Sequence, residues 1–360
     1  MRNAGKKDHI LHDEEFKVRN SLTGNGTGTR ASPTSALVDA AFHAIEEVNE
    51  ITSAAGWDGE FRQLSKGRVT SMWRSLHLGS CSLTSHSLDK RIHVRQVPPR
   101  GCMALGIPRP PHFLQVDGAE VRNNEVVLMH VDSQTEFVTP NEAACETLTV
   151  PRSVFEASKR ALFPRMRING GATSVFQCAT SGWSALQRES TRLLRDGRMS
   201  PEDVSNLLCR FLELMAGEPK ELLGGAILGN MSIRRVARRA QEYIEEHYAG
   251  TIRLEDLCRC TGVSLRTLQR YFSDYFQVSP FQYIKASRLN AARRALVTSA
   301  PSRDEVTRIA LNNGFTHLGR FSVNYREHFG ESPKVTLARG ALHRAAIHIA
   351  TRGEYSHIMR

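Results

Sequence analysis

The ten residues Val263-Ser-Leu-Arg-Thr-Leu-Gln-Arg-Tyr-Phe272 decide how the C-terminal third of this 360-residue chain is read. As a helix, spacings of three and four place Leu265, Leu268 and Phe272 on one face. Arg266, Arg270 and Ser273 then fall on the neighbouring face, with Gln269 on the border. Ser264 is placed to cap the start, because its hydroxyl can accept from a free backbone N–H of the first turn. Upstream, Leu254-Glu-Asp-Leu-Cys-Arg-Cys260 reads as a shorter helix. Thr261-Gly262 closes it, and Gly262 supplies the left-handed turn that other residues resist. Helix, glycine turn and helix with long donors outward is the layout of a helix-turn-helix DNA reader. One such hairpin also suits a plain helical core, so a single copy decides little.

The pattern occurs twice. The second copy runs Val306-Thr-Arg-Ile-Ala-Leu-Asn-Asn-Gly314 and then Phe315-Thr-His-Leu-Gly-Arg-Phe-Ser-Val-Asn-Tyr325. One fixed offset carries Leu265 onto Leu318, Leu268 onto Phe321, Phe272 onto Tyr325 and Phe276 onto Phe329. The same offset carries Ser279-Pro280 onto Ser332-Pro333. Gly262 and Gly314 fall one residue short of it, so the second turn is expected to be one residue longer. A repeat that keeps the inward apolar positions, the turn glycine and a terminal Ser-Pro signals two copies of one unit. Between them, Phe281-Gln-Tyr-Ile-Lys-Ala-Ser-Arg-Leu-Asn-Ala-Ala-Arg-Arg-Ala-Leu296 has no internal Gly or Pro and reads as one long helix. A rigid helix of this kind fixes the separation of two recognition helices, which enter successive major grooves when roughly 34 Å apart.

These residues resemble the DNA-binding domain of AraC/XylS-type bacterial transcription regulators. The resemblance rests on Leu257-Cys-Arg-Cys-Thr-Gly-Val-Ser264, Thr267-Leu-Gln-Arg-Tyr-Phe272, Arg288-Leu-Asn-Ala-Ala-Arg-Arg294, Ile309-Ala310, Gly314-Phe315 and Phe329-Gly-Glu-Ser-Pro333. It covers under a third of the chain. It implies a seven-helix, two-reader domain that binds double-stranded promoter DNA and recruits or blocks RNA polymerase, with activation the commoner outcome. Cys258 and Cys260 depart from it, standing where small alanines are frequent.

The charge agrees with a polyanionic partner. The chain carries a net charge of +11 and a pI near 9.6, and residues 231–340 hold 18 Lys and Arg against 10 Asp and Glu. The seven cysteines, at 81, 102, 145, 178, 209, 258 and 260, are odd in number and scattered, and no apolar run follows the start Met1-Arg-Asn-Ala-Gly-Lys-Lys-Asp8. That is a reduced, cytoplasmic pattern. Cys258 and Cys260 point apart on a helix and no ligand pair at zinc spacing follows, so buried structural thiols are expected and no metal. No apolar run approaches the ~18 residues of a membrane span.

The N-terminal part reads differently. Residues 1–33, including Thr23-Gly-Asn-Gly-Thr-Gly-Thr29, are expected to be a flexible leader: no strand precedes the glycines and no Gly-Lys-Ser/Thr follows. Residues 33–51 read as a helix with Ala36, Leu37, Ala40, Ala41, Ala44, Ile45 and Val48 as its stripe. From Trp57 to about Val150, short alternating stretches split by Gly, Pro and Asn indicate a small β-barrel or sandwich, with Asn123-Asn124 a candidate hairpin turn. His77, His86, His93, His112 and His130 are too dispersed for a metal-dependent enzyme. Residues 151–215 read mostly as helices. The stripe Val204, Leu207, Leu208, Phe211, Leu212 and Met215 suits either covering the barrel or pairing in a homodimer. Trp57-Asp-Gly-Glu-Phe-Arg-Gln-Leu-Ser65, Gly106-Ile-Pro108 and Glu136-Phe-Val-Thr-Pro140 are loosely similar to the sensor domains of the ethanolamine-operon regulator type, which implies a small-molecule effector of unspecified chemistry.

The expected fold is therefore α+β: an N-terminal barrel or sandwich sensor with flanking helices, then an all-α domain of two helix-turn-helix units joined by a long helix. The expected divisions are leader 1–33, sensor and dimerisation domain 34–215, linker 216–231, DNA-binding domain 232–340 and basic tail 341–360. The candidate DNA contacts are Ser264, Arg266, Thr267, Gln269 and Arg270 in the first reader, and Thr316, His317, Gly319, Arg320, Val323 and Asn324 in the second. Arg can donate twice to guanine and Gln can pair twice with adenine. The offset places Gly319 under Arg266 and Val323 under Arg270, so the second reader lacks those two donors and is expected to discriminate less. Arg288, Arg293 and Arg294 on the connecting helix suit either phosphate contact or pairing with Asp256, Asp274 or Glu255. No catalytic residue and no cofactor is indicated. The competing classes are an architectural DNA binder without a sensor and a DNA-repair protein using the same reader. The latter needs a reactive cysteine in a Pro-Cys-His setting or a four-cysteine site, and the sequence has neither.

Overall fold

The computed structural model of the chain describes residues 35–341 except 110–113, 123, 169–172, 179, 217–218, 221–226 and 303. The leader, His112, much of the expected linker and all but the first residue of the expected tail lie outside the described residues. The N-terminal part contains β1 (Ala36–Phe42), α1 (Ile45–Ala54), β2 (Asp58–Gln63), β3 (Ser71–Leu78), β4 (Cys81–Leu88), β5 (Ile92–Val97), β6 (Cys102–Pro108), β7 (Leu114–Val116), β8 (Ala119–Val121), β9 (Glu125–Met129), β10 (Thr135–Val138) and β11 (Ala143–Pro151). After them come α2 (Arg152–Leu162), β12 (Ser174–Gln177), α3 (Thr180–Asp196), α4 (Pro201–Leu214) and β13 (Pro219–Lys220).

The strands form two sheets. The larger has the order β1-β3-β4-β11-β6-β9-β12-β13, and the smaller β2-β5-β10-β7-β8. They face each other across a core that takes Phe61, Val94 and Phe137 from the small sheet and Trp73, Leu88 and Val127 from the large one. Closing a barrel needs an unbroken hydrogen-bonded ladder. Among the described residues no strand joins the two sheets, so the sandwich stands and the barrel does not. The chain changes sheet between β8 and β9, and Asn124 takes φ 70° there. The candidate hairpin turn Asn123-Asn124 includes Asn123, which lies outside the described residues.

The helix expected over 33–51 is also corrected. Ala36–Phe42 is a strand that pairs with β3 from Ala36 opposite His77 to Phe42 opposite Ser71. Pairing with a ready sheet edge overrides the helix propensity of its alanines. The helix begins only at Ile45, where the Glu47 carboxylate accepts from the backbone N–H groups of His43 and Ala44 at 2.9 and 3.0 Å. On the far side of the large sheet, Val204, Leu207, Leu208, Phe211, Leu212 and Met215 are all buried in one cluster with Leu76, Leu105 and Leu148. That apolar stripe covers the sheet and is not available as a dimer seam.

The C-terminal part is all helix: α5 (Ile227–His247), α6 (Leu254–Thr261), α7 (Leu265–Phe276), α8 (Pro280–Thr298), α9 (Glu305–Asn312) and α10 (Leu318–Phe329), with α11 over 333–341. These are seven helices among the described residues. Helix α5 starts inside the expected linker, because Gly229 within a 21-residue helix is tolerated. Helix α8 has Ser279 as its cap, accepting from Gln282 N at 3.3 Å, and Pro280 in its first turn. It contributes Tyr283 and Ile284 to one core with Leu257, Leu268, Phe272 and Phe276. It contributes Leu289 and Leu296 to another with Ile309, Phe321, Tyr325 and Phe329. The connecting helix is thus the shared wall of both readers.

Arg293 lies near the end of α8, 4% exposed. It donates to Glu46 at 2.8 and 3.0 Å, pairs with Glu331 at 2.9 Å and lies over the Phe329 ring at 4.5 Å. Burial works to raise the Glu46 carboxyl, and the charges of Arg293 and Arg339 outweigh it and hold it low. Arg339 also pairs with Glu46 at 2.7 Å and Glu331 at 3.1 Å, so removing Arg293 leaves two carboxylates sharing one arginine. Arg293→Met is expected to cost about 3–5 kcal/mol in urea unfolding, and a loss below about 1 kcal/mol would contradict the burial.

Burial also holds His86 and His328 down at about 4. The unfolded chain takes up these protons near pH 6.5 and the folded chain does not. Stability is therefore full above about pH 6.5 and is lost as pH falls towards 4, by roughly 3 kcal/mol for each ring. Calorimetry should show the unfolding midpoint dropping across that window, and a flat profile there would contradict it.

Candidate nucleic-acid interface

The first unit is α6, a three-residue turn and α7. Gly262 ends α6 at φ 73°, a left-handed conformation that a side chain disfavours. Ser264 then caps α7, its hydroxyl accepting from Thr267 N at 3.3 Å. Leu268, Phe272 and Phe276 are buried, so the opposite face must look outward. Arg266, Gln269 and Arg270 are all exposed on it, with the Arg270 guanidinium 5.1 Å from the Tyr271 ring centre. Thr267 is half-buried beside the cap. Leu265, expected inward, is 41% exposed: as the first helical residue it precedes the turn that packs on α6.

The second unit repeats this closely. Helices α7 and α10 each have 12 residues, and their ends superpose by the offset found in the sequence. Leu318 is 39% exposed, as its counterpart Leu265 is. The left-handed residue that closes each helix also repeats, as Gln277 at φ 58° after α7 and Gly330 at φ 74° after α10. Gly314 sits at φ 79°, and a side chain there would meet the backbone oxygens of Tyr248 and Ala249 at 3.0 Å. Counted between helix ends, five residues separate α9 from α10 and three separate α6 from α7, so the second turn is longer by two residues; counted from the glycines it is longer by one. Thr316, His317, Gly319, Arg320 and Val323 are exposed, with Val323 at 58%. Asn324 is half-buried, and its side-chain oxygen accepts from Lys285 Nζ at 2.7 Å. Where α7 presents Arg266, Gln269 and Arg270, α10 therefore presents Gly319, Ser322 and Val323, with Arg320 and Arg326 exposed beside them.

The three arginines of α8 face elsewhere. Arg293 is buried as described, and Arg294 pairs with Glu60 at 2.8 Å. Arg288 donates to the backbone oxygens of Tyr248 and Gly250 at 2.8 and 2.7 Å. Among the described residues none of them pairs with Asp256, Asp274 or Glu255, one of the two alternatives the sequence left open. Cys258 and Cys260 are half-buried and not fully buried, and Cys260 Sγ lies 3.3 Å from the Leu257 oxygen.

What the sequence did not reveal is how the readers are held. The outer face of the small sheet docks against α5, α7, α8 and α10. Gln63 is 1% exposed. Its N–H donates to Asn290 on α8 at 3.1 Å, Asn290 donates back at 2.9 Å, and the Gln63 side chain donates to the His328 oxygen on α10 at 2.6 Å. Beside it runs a chain of buried polar groups. Arg62 donates to the Tyr283 hydroxyl at 2.8 Å and to Glu245 at 2.9 Å. Tyr283 meets His93 Nδ1 at 3.2 Å, and His93 Nε2 meets Glu136 at 2.6 Å. The Tyr275 hydroxyl, on α7, donates to the other oxygen of Glu136. Burial works to raise the Glu136 carboxyl, and His93, Tyr275 and Arg238 together hold it down at about 2. Each recognition helix is thus gripped near its C-terminal end while its N-terminal half faces outward. No local pattern announces such contacts, because the partners are more than 130 residues apart.

The comparisons fit this geometry. A family model described as a helix-turn-helix domain matches residues 257–339. The chain is 34% identical over 120 residues to a probable thc operon regulatory protein of Rhodococcus erythropolis, covering 33% of this chain and 33% of that protein. It is 35% identical over 114 residues to XylDLEGF operon transcriptional activator 2 of Pseudomonas putida, covering 32% of this chain and 70% of that protein. Among solved structures, a probable AraC family transcriptional regulator from Rhodopseudomonas palustris shares 36% identity over 29% of this chain and 96% of that one, with a TM-score of 0.27. The match spans only about a third of the length of the first two curated relatives, 33% and 39%. By its repeated helix-turn-helix unit and this shared sequence, the chain belongs to the AraC/XylS family of transcription regulators.

Proposed function

We propose that this chain is a sequence-specific DNA-binding transcription regulator that acts as an activator, by binding and not by catalysis. The observation that carries this reading is the pair of superposable recognition helices whose outward faces are exposed on one rigid frame. Helix α8 has 19 residues and so is about 28 Å long, close to the roughly 34 Å of one DNA turn. The relatives named as operon activators support the same reading.

In this proposal residues 34–215 receive a small-molecule effector and residues 232–340 bind promoter DNA and contact RNA polymerase, with 216–231 between them. The chain works in the cytoplasm. Among the described residues no helix is long and apolar enough to cross a membrane. Assembly as a homodimer would use a surface other than the α4 stripe, which the large sheet already occupies. The first reader supplies most base discrimination, through Arg266, Gln269 and Arg270. The second supplies positioning, with Arg320 and the cap region at Thr316 and His317 near phosphate and Val323 against a thymine methyl.

A genome-wide crosslinking map should show a few discrete peaks upstream of one or two operons. Broad occupancy with no shared motif would favour an architectural binder instead. On the purified chain at its strongest site, Arg266→Ala and Gln269→Ala should each cost about 1–3 kcal/mol, concentrated at one base pair. Arg320→Ala should weaken all sequences alike and lower the salt dependence by about one charge. Equal base-by-base penalties across both half-sites would overturn the unequal division of labour.

A further inference from the structure

Asn324 is the seventh of the 12 residues of α10. It stands one turn after the exposed Arg320, at the i,i+4 spacing that makes side chains neighbours on a helix surface. It is half-buried and directly precedes the buried Tyr325, so it lies on the border between the packed and outward faces of the second reader.

Across from it is Lys285 on α8. Tyr283 and Asn290 of that helix turn to the small sheet, where they meet Arg62 and Gln63. Lys285 turns to α10, and its Nζ donates to Asn324 Oδ1 at 2.7 Å. Glu327, one turn further along α10, pairs with Lys66 at 2.8 Å. The Lys285 ammonium is therefore held by an amide oxygen and not by that carboxylate.

The direction of this bond fixes what the amide offers to DNA. An ammonium donates and cannot accept, whereas an amide has a carbonyl acceptor at one end and an NH2 donor at the other. Lys285 thus takes the Oδ1 end. The Nδ2 end has no partner among the described residues and is not sealed from solvent. An unrestrained asparagine reads adenine with both ends, Nδ2 donating to N7 and Oδ1 accepting from the N6 amino group. Here the oxygen keeps a second lone pair, but an amino hydrogen that approached it would also approach the ammonium, positive against positive. Cytosine brings an amino donor to the same groove. Guanine and thymine bring only acceptors, O6 and N7 or O4.

We propose that Lys285 is a positioning residue for base recognition. By holding the Asn324 oxygen it turns an adenine-reading amide into a donor that selects a keto base, guanine or thymine, over adenine and cytosine at one pair of the second half-site. The assignment rests on the regulator reading above, and it gives the second reader one point of discrimination beside Val323.

The test is competition binding of the purified full chain to its strongest natural site, with each pair of the second half-site varied in turn. Asn324→Ala locates the pair, because preference should vanish there and nowhere else. At that pair the native chain should favour guanine or thymine over adenine by about fivefold, the effect of one hydrogen bond. Lys285→Met keeps the aliphatic stem and removes the ammonium, so adenine should rise to at least match the keto bases while other pairs keep their order. Lys285→Arg keeps a donor and should keep the keto preference. In an Asn324→Ala background, Lys285→Met should alter no base preference, which separates positioning from a general loss of structure.

An adenine or cytosine preference in the native chain would overturn the proposal, as would an Asn324→Ala that changes no pair. Lys285→Met weakening all sequences alike, with a lower salt dependence, would also overturn it, since that is how a phosphate contact behaves. The pairs sensitive to Arg266→Ala and Gln269→Ala are measured alongside. If their preferences persist while the Asn324 and Lys285 variants leave every pair unchanged, the regulator reading stands and only this proposal falls. If no pair shows a preference, both fall.

Discussion

The structure depends on one seam, the outer face of the five-stranded sheet, where Gln63 ties α8 to α10 and Glu136 holds Tyr275 of α7. Buried polar groups are costly unless they are matched, and here most of them are. Gln63 fills its N–H, its oxygen and its side-chain amide. Glu136 receives His93, Tyr275 and Arg238. Such a seam has few alternatives: sliding the helices by one residue would strand several donors and acceptors at once. It orients both recognition helices together, although each also has its own apolar core.

The helix-turn-helix units stand on a sheet whose two faces have different neighbours. Its inner residues pack in the core between the sheets, and its outer residues hold the helices. Polar and apolar neighbours separated by a single peptide bond thus serve two different surfaces.

Much of the C-terminal architecture was legible in the sequence because its determinants are local. Gly262 and Gly314, the inward Leu268 and Phe321, and the two Ser-Pro starts lie within one or two helical turns of what they control. The N-terminal part was harder. The alanines of β1 favour a helix, and only the waiting edge of β3 makes them a strand. The two-sheet arrangement also hid behind the alternation, since period two looks the same in a sandwich and in a barrel. The outward set on α7 followed from periodicity, while Leu265 escaped it by standing at the helix start. The fates of Arg293, Arg294 and Asn324 were not legible, because their partners Glu46, Glu60 and Lys285 come from elsewhere in the chain.

The most direct test of this account is a hydroxyl-radical footprint of the purified full chain on its strongest natural site. Two recognition helices held on one frame predict two protected patches on the same face of the duplex, about one helical turn or 10–10.5 base pairs apart. A single protected patch, or protection spread evenly around the duplex, would mean that the two readers do not engage DNA as the docked pair described here.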